Sequence, residues 1–190
     1  MTPTSGRLLV ISGPSGSGKT SIINRLREHP QVAVSVSVTT RPKRANEVDG
    51  RDYTFVDLER FRELNDQGAF VETNDVFGNH NLYGSLRSEL EQALAGPDGV
   101  YIMELDVVGA RNVRAAGYDG LHVFIAPPSD AVLEQRLRDR GTDDETAIET
   151  RLSRAAEERQ IAEAEHATII VNHDIGEAAA QVFDLLGLPV

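Results

Sequence analysis

Gly13-Pro14-Ser15-Gly16-Ser17-Gly18-Lys19-Thr20 decides how this sequence is read. The octapeptide fits G-x-x-x-x-G-K-[ST] in full, and both flanks agree with it. Leu8-Leu9-Val10-Ile11 has the continuous apolar character of a buried parallel strand, and residues 21–27 have the periodicity of an amphipathic helix. The glycines let successive backbone N–H groups turn inward around an anion, and the helix N-terminus adds partial positive charge. Lys19 supplies a point charge to β- and γ-phosphates, while the Thr20 hydroxyl is placed to ligate Mg²⁺. A Gly/Ser-rich turn with no ligand would explain the loop alone. It would not explain why strand, loop, Lys-Thr and helix all agree. The stretch implies a nucleoside triphosphate site.

Working outward, Ala33-Val34-Ser35-Val36-Ser37-Val38 alternates apolar and hydroxyl residues at period two, which predicts one strand with a wet face. Residues 39–50 read as a polar surface loop and 52–56 as a strand. Asp57 caps a helix that runs past Leu64 toward Gly68. Phe70-Val71-Glu72 begins a short strand, residues 79–85 read as a polar connection, and 86–94 as a helix. Residues 34–85 therefore form a β-rich insertion between the first and second βα units. Apolar runs at 100–106, 121–125 and 168–171 then alternate with helices at 110–116, 131–140, about 145–165 and 175–186. That order predicts an α/β fold in three layers, with a parallel sheet covered on both faces.

The chain has 190 residues, which suits one compact domain with a mobile sub-region. There is no Cys, so disulfides, zinc–thiolate sites and a thiol nucleophile are excluded, in weak agreement with a cytoplasmic setting. No run approaches the roughly 20 apolar residues of a membrane span, and residues 1–6 lack a signal pattern. A net charge of −11 argues against nucleic-acid or anionic-membrane partners, which need a basic face. The cations are nevertheless concentrated, at Arg41, Lys43, Arg44 and Arg51 and again at Arg136, Arg138, Arg140, Arg151 and Arg154.

Three constellations carry chemistry. Glu104 and Asp106 end a buried strand at the edge where open α/β sheets bind ligands, so either could hold Mg²⁺ directly or through water. The plainer reading is that they cap the next helix. Ser37, Thr39, Thr40, Arg41, Lys43 and Arg44, with Tyr53 shortly after, offer hydroxyls and guanidinium forks for a second phosphate. The plainer reading is a basic solvated loop. Arg136 to Arg154, with a hinge at Arg140-Gly141-Thr142, would deliver arginines to a transferring phosphoryl group. The plainer reading is an exposed helix carrying i,i+4 ion pairs. The five histidines show no metal-ligand spacing.

Across about residues 7–186 the sequence resembles the guanylate kinase family. The resemblance rests on the phosphate loop, Ser35-Val36-Ser37-Val38-Thr39-Thr40-Arg41, Glu47-Val48-Asp49-Gly50-Arg51-Asp52-Tyr53, Phe70-Val71-Glu72, Gly78-Asn79, Tyr83-Gly84-Ser85 and Glu104-Leu105-Asp106. Further matches are Ile125-Ala126-Pro127-Pro128-Ser129, Arg140-Gly141-Thr142 and Ile170-Val171-Asn172. It implies a P-loop NTPase fold, with a core at 1–33 and 86–190, a helical lid at about 136–160 and a GMP-binding sub-domain at 34–85. It implies transfer of the γ-phosphoryl group of ATP to GMP or dGMP, with Mg²⁺. By the same resemblance Gly13 to Thr20 and Asn172 would bind ATP, with Asn172 beside adenine. Lys19, Arg136, Arg140 and Arg151 would be catalytic, the three arginines closing from the lid. Arg41, Arg44, Tyr53 and Tyr83 would hold the GMP phosphate, while Ser37, Glu72, Ser85 and Asp106 would read guanine. Thr20 and Glu104 would serve the metal.

The chain departs from the family's pattern in three places. Gly78-Asn79-His80-Asn81-Leu82-Tyr83-Gly84-Ser85 is two residues longer than the usual Gly-Asn-Tyr-Tyr-Gly-Ser/Thr, with Leu82 in place of the first tyrosine. Val108 stands where relatives often have Gln, so the guanine pocket is expected to lose a polar support. Glu104 stands where Asp is frequent. The insertion leaves room for a same-fold phosphotransferase with another phosphorylated acceptor. An inactive guanylate-kinase-like binding domain is the other alternative, although it would not need Lys19, Thr20 and the lid arginines. Monomer and homodimer are both compatible with the sequence.

Overall fold

The computed structural model describes residues 6–45, 47–75, 81–96, 99–141 and 144–189. Expectations at Gly78, Asn79, His80 and Thr142 lie outside the described residues, as does the side chain of Arg140.

A central sheet of five parallel strands carries the fold. They are β1 (Arg7–Ser12), β2 (Val32–Val34), β7 (Val100–Glu104), β8 (Leu121–Ala126) and β9 (Thr168–Val171), in the order β2-β7-β1-β8-β9. β1 lies at its centre, paired with β7 and β8. Its side chains alternate between two buried faces, which is why the strand reads as an unbroken apolar run. Leu9 and Ile11 join Ile22, Ile23 and Leu26 of α1 (Lys19–Leu26) and Val182 and Phe183 of α7 (Ile175–Leu186). Leu8 and Val10 face the other way, toward Leu90 of α3 (Arg87–Ala95) and Val113 of α4 (Val107–Ala115). The three layers are as the sequence predicts.

A smaller four-stranded sheet has the order β4-β3-β6-β5, from β3 (Val38–Thr39), β4 (Thr54–Phe55), β5 (Phe70–Asp75) and β6 (Leu82–Leu86). Val38, Phe61 and Phe70 form its own apolar cluster under α2 (Leu58–Asp66), with the rings of Phe61 and Phe70 stacked at 4.7 Å. Asp57 caps α2 by accepting from the Arg60 N–H at 2.7 Å. The third unit pairs α5 (Asp130–Arg140) with α6 (Glu145–Ala164) around Leu133, Leu137, Ile148 and Ala155. The lower part of α6 instead packs Ala162 against Phe124 and Ala126 of the central sheet.

Two sequence expectations need correction. Residues 33–38 are not one strand: the chain leaves the central sheet after Ser35 N–H donates to Ile102 O at 2.8 Å and enters the small sheet at Val38. Period-two alternation continues through the break, so the pattern cannot reveal it. Residues 82–86 are a strand and not a polar connection. Tyr83 and Ser85 form the polar face of the strand, bonded to Arg41 and Glu72, while Leu82 and Leu86 pack on the apolar cluster. Gly84 between them lies against the Phe70 ring, where an added Cβ would come within 2.8 Å.

Candidate active site

The phosphate loop joins β1 to α1 at the C-terminal edge of the central sheet. Gly13 has φ +140, and a Cβ there would lie 2.3 Å from the Ile125 carbonyl oxygen on β8. Gly18 is the left-handed N-cap of α1 at φ +96, where a Cβ would meet the Asn172 amide nitrogen at 2.2 Å. Both positions therefore require glycine, for backbone conformation and for space. Lys19 folds back over the loop, its ammonium donating to the carbonyls of Gly13 and Pro14, the latter at 3.1 Å. Thr20 Oγ1 donates to Glu104 Oε1 at 3.2 Å, which brings the two expected metal residues together.

From the far side, Asn172 is 1% exposed and donates through Nδ2 to the Ser17 carbonyl at 2.7 Å. Its Oδ1 is buried with no hydrogen-bond partner among the described residues. Arg136 of α5 reaches the same place, donating to Ser17 O at 3.4 Å and to Asn172 O at 3.1 Å. In this state its guanidinium therefore grips the loop backbone.

The small sheet presents a second polar surface to the same cleft. Arg41 donates from Nε to the Tyr83 hydroxyl at 3.2 Å and meets Glu47 with a two-pronged fork at 2.7 and 3.1 Å. The guanidinium also lies 5.3 Å from the Tyr53 ring centroid. Arg41's guanidinium holds the Glu47 carboxyl below its ordinary range. Burial pushes the Tyr53 phenol up to about 12, so it stays protonated and able to donate. Glu72 is 6% exposed and accepts from the Ser85 hydroxyl at 2.7 Å. Burial pushes its carboxyl up to about 7; Asp106 adds to the rise and the Ser85 hydroxyl opposes it. Asp106 does cap α4, accepting from Gly109 N–H at 2.7 Å, and it also faces the cleft. Capping and cleft lining are thus not alternatives at this residue.

One cleft of about 760 Å³ collects these groups, within the range of small-molecule sites. Gly13, Pro14, Ser15, Gly16, Gly18, Lys19 and Thr20 line it from the loop, with Asn172 behind them. Ser37, Arg41, Arg44, Tyr53, Glu72 and Tyr83 line it from the small-sheet side, and Glu104, Asp106, Arg136 and Arg151 line it as well. Ser17 lies beneath the loop at 0% exposure, and Ser85 is behind Glu72 at 3%; neither lines the cleft.

Most of the chain has counterparts of known type. The family model for guanylate kinase matches residues 5–187. The chain belongs to the guanylate kinase family. It is 43% identical to a guanylate kinase of Nostoc sp. over 96% of this chain and 90% of that protein. It is 48% identical to one of Nitratidesulfovibrio vulgaris, over 92% of this chain and 83% of that protein. The crystal structure of guanylate kinase from Anaplasma phagocytophilum superposes with a TM-score of 0.75 at 34% identity, covering 97% of this chain and 86% of that one.

Two further residues of the cleft escape the motif reading of this family member. Asn74 donates from Nδ2 to Asp106 Oδ2 and faces the cleft from β5. Glu158 of α6 also lines it, with Oε2 buried and without a hydrogen-bond partner among the described residues. Burial raises the Glu158 carboxyl; Lys19 and Arg154 oppose the rise and Asp106 adds to it. A signal for each was present. Asn74 is two residues from Glu72 on a strand, and Glu158 is seven from Arg151 on a helix, so each shares a face with an expected site residue. Among the described residues no helix is long and apolar enough to cross a membrane, and no cluster of three or more His, Cys, Asp or Glu could hold a metal.

Proposed function

We propose that the chain transfers the γ-phosphoryl group of ATP to GMP, and to dGMP, forming ADP and the corresponding diphosphate. Membership of the guanylate kinase family supports this reading, and one feature of the cleft carries it to the base. Glu72 and Asp106 converge over Gly109, where a Cβ would lie 3.1 Å from Glu72 Oε2 and 3.3 Å from Asp106 Oδ1. Two carboxylate acceptors complement the N1–H and 2-amino donors of guanine. Adenine would set a lone pair against one of them and leave the other without a partner.

In this reading an oxygen of the GMP phosphate attacks the γ-phosphorus in line, and the bond to the β,γ-bridging oxygen breaks as ADP leaves. No protein nucleophile is needed, so the chain's contribution is positioning and charge stabilisation. Lys19 serves the β- and γ-phosphates. Arg41, Arg44, Tyr53 and Tyr83 hold the acceptor phosphate, while Ser37 and Ser85 assist Glu72 and Asp106 at guanine. Arg136, Arg140 and Arg151 close from the lid at about 136–160, and Asn172 supports the ATP side. The hard oxygen donors of Thr20 and Glu104 suit Mg²⁺, which supplies charge neutralisation between the phosphates when bound. Residues 34–85 act as the acceptor-binding sub-domain and close toward the core at 1–33 and 86–190, excluding water from the phosphates. Such chemistry belongs where ATP and GMP are, in the cytoplasm.

A coupled assay with ATP and a panel of monophosphates tests the assignment. GMP should exceed AMP by at least roughly a thousand-fold in kcat/KM, since a site built for hydrogen-bonding donors rejects an analogue lacking them. A better rate with AMP, UMP or a sugar phosphate would overturn it.

A further inference from the structure

We infer that Asn74 is a specificity-determining positioning residue of the base pocket, acting through Asp106 on the purine 2-amino group. The inference rests on the proposal that Asp106 reads guanine. Asp106, two residues beyond β7, is the N-cap of α4, and the Gly109 N–H occupies a lone pair of Oδ1. Its Oδ2 accepts from the carboxamide of Asn74, which arrives from the other sheet. An ionised carboxylate has about four lone-pair sites, so two protein donors, one on each oxygen, leave acceptor capacity for a ligand. Bonds at both oxygens also set the plane of the carboxylate before any base arrives. A preset acceptor spares the ligand the cost of ordering it.

The placement is built into the hairpin. Glu72 and Asn74 are two apart on β5, paired across from Ser85 and Tyr83 of β6, so all four share one face of the hairpin, where Glu72, Asn74 and Tyr83 line the cleft and Ser85 lies behind Glu72. Glu72 is tied within the hairpin to Ser85, whereas Asn74 reaches out of it to the core. The bond therefore joins the small sheet to the central unit at the point where the base would lie. It also answers the departure at Val108. That side chain packs in the apolar cluster with Phe124 and Ala162, and the polar support of Asp106 comes from β5 instead.

The test is the ratio of kcat/KM for GMP to that for IMP, which differs from GMP only in lacking the 2-amino group. Asn74→Ala should raise KM for GMP by roughly tenfold, the scale of one hydrogen bond to a charged group, and lower the GMP/IMP ratio by a similar factor. The KM for ATP and kcat should stay near wild type. Asn74→Asp, of the same shape, removes the donor and sets a like charge against Asp106, so its ratio should fall further. A merely structural role would depress GMP and IMP alike. An unchanged ratio in both Asn74 variants overturns the inference. If Asp106→Ala then collapses the ratio, Asp106 still reads the base without help from Asn74. If Asp106→Ala leaves it unchanged too, the guanine role of Asp106 falls as well.

Discussion

The phosphate loop and the acceptor pocket face each other across one cleft, yet they are built in opposite ways. The loop is eight consecutive residues whose backbone makes the site, locked by steric contacts of Gly13 with Ile125 and of Gly18 with Asn172. The acceptor pocket draws side chains from β5, β6, the loop after β3 and the start of α4, and is held by charged hydrogen bonds. Behind the loop lie Leu9, Ile11 and Ile22, each at 0% exposure, whereas Glu72 is buried in the pocket itself. Rigid backbone suits a phosphate chain common to all nucleotides. Side chains of adjustable charge suit a base that must be told from its analogues.

The largest effect should come from the loop. Lys19→Ala should lower kcat by roughly several hundred-fold, the scale of removing one preorganised charge-stabilising group. Among the described residues its Nζ bonds only loop carbonyls, so the melting temperature should hold. Near-wild-type turnover would remove the difference between the two regions. Next, Glu72→Gln should cut kcat/KM for GMP by roughly a hundredfold, because a neutral amide accepts less strongly and turns its NH₂ toward a guanine donor. The KM for ATP should not move. A parallel loss for ATP would mean that the pocket and the loop act as one site.

A smaller effect is expected from pH. Guanine needs the ionised form of Glu72, whose carboxyl stands at about 7. KM for GMP should therefore rise up to about tenfold per pH unit below about 7, and the profile should flatten in Glu72→Gln. Folding has its own pH dependence. Between 4.5 and about 7 the folded chain holds a proton on Glu72 that the unfolded chain has released. Raising the pH through that window should lower stability by roughly 3 kcal/mol, a loss that denaturant titrations should find missing in Glu72→Gln. The smallest effect belongs to a cap in the small sheet's own unit. Asp57→Ala should cost about 1 kcal/mol of stability while both KM values stay put. A change in KM for GMP would show that the pocket depends on α2.

The triphosphate half was legible because its determinants are local. A strand, a glycine loop, Lys-Thr and a helix within about twenty residues leave few other folds, and the alternation of apolar runs predicts the parallel sheet. The caps at Asp57 and Ser129 and the closing helix Ile175–Leu186 follow from the same short-range rules. The acceptor half was less legible. Ser35 to Val38 looks continuous because side-chain alternation does not record which sheet takes the backbone hydrogen bonds. Residues 82–86 look like a polar connection because Tyr83 and Ser85 take distant polar partners, Arg41 and Glu72, that the local pattern does not record.

By itself the sequence determined the phosphate loop, the βα order and the chemical types available for two phosphates and a base. Only the tertiary structure decided that Asn74 meets Asp106 across two sheets, that Glu47 holds the Arg41 fork, and that Glu158 turns into the cleft. The reason is physical. Backbone conformation is set by neighbours within a few residues, whereas a carboxylate's partner is whatever donor the packed sheets bring within reach, and that requires the whole core to be in place.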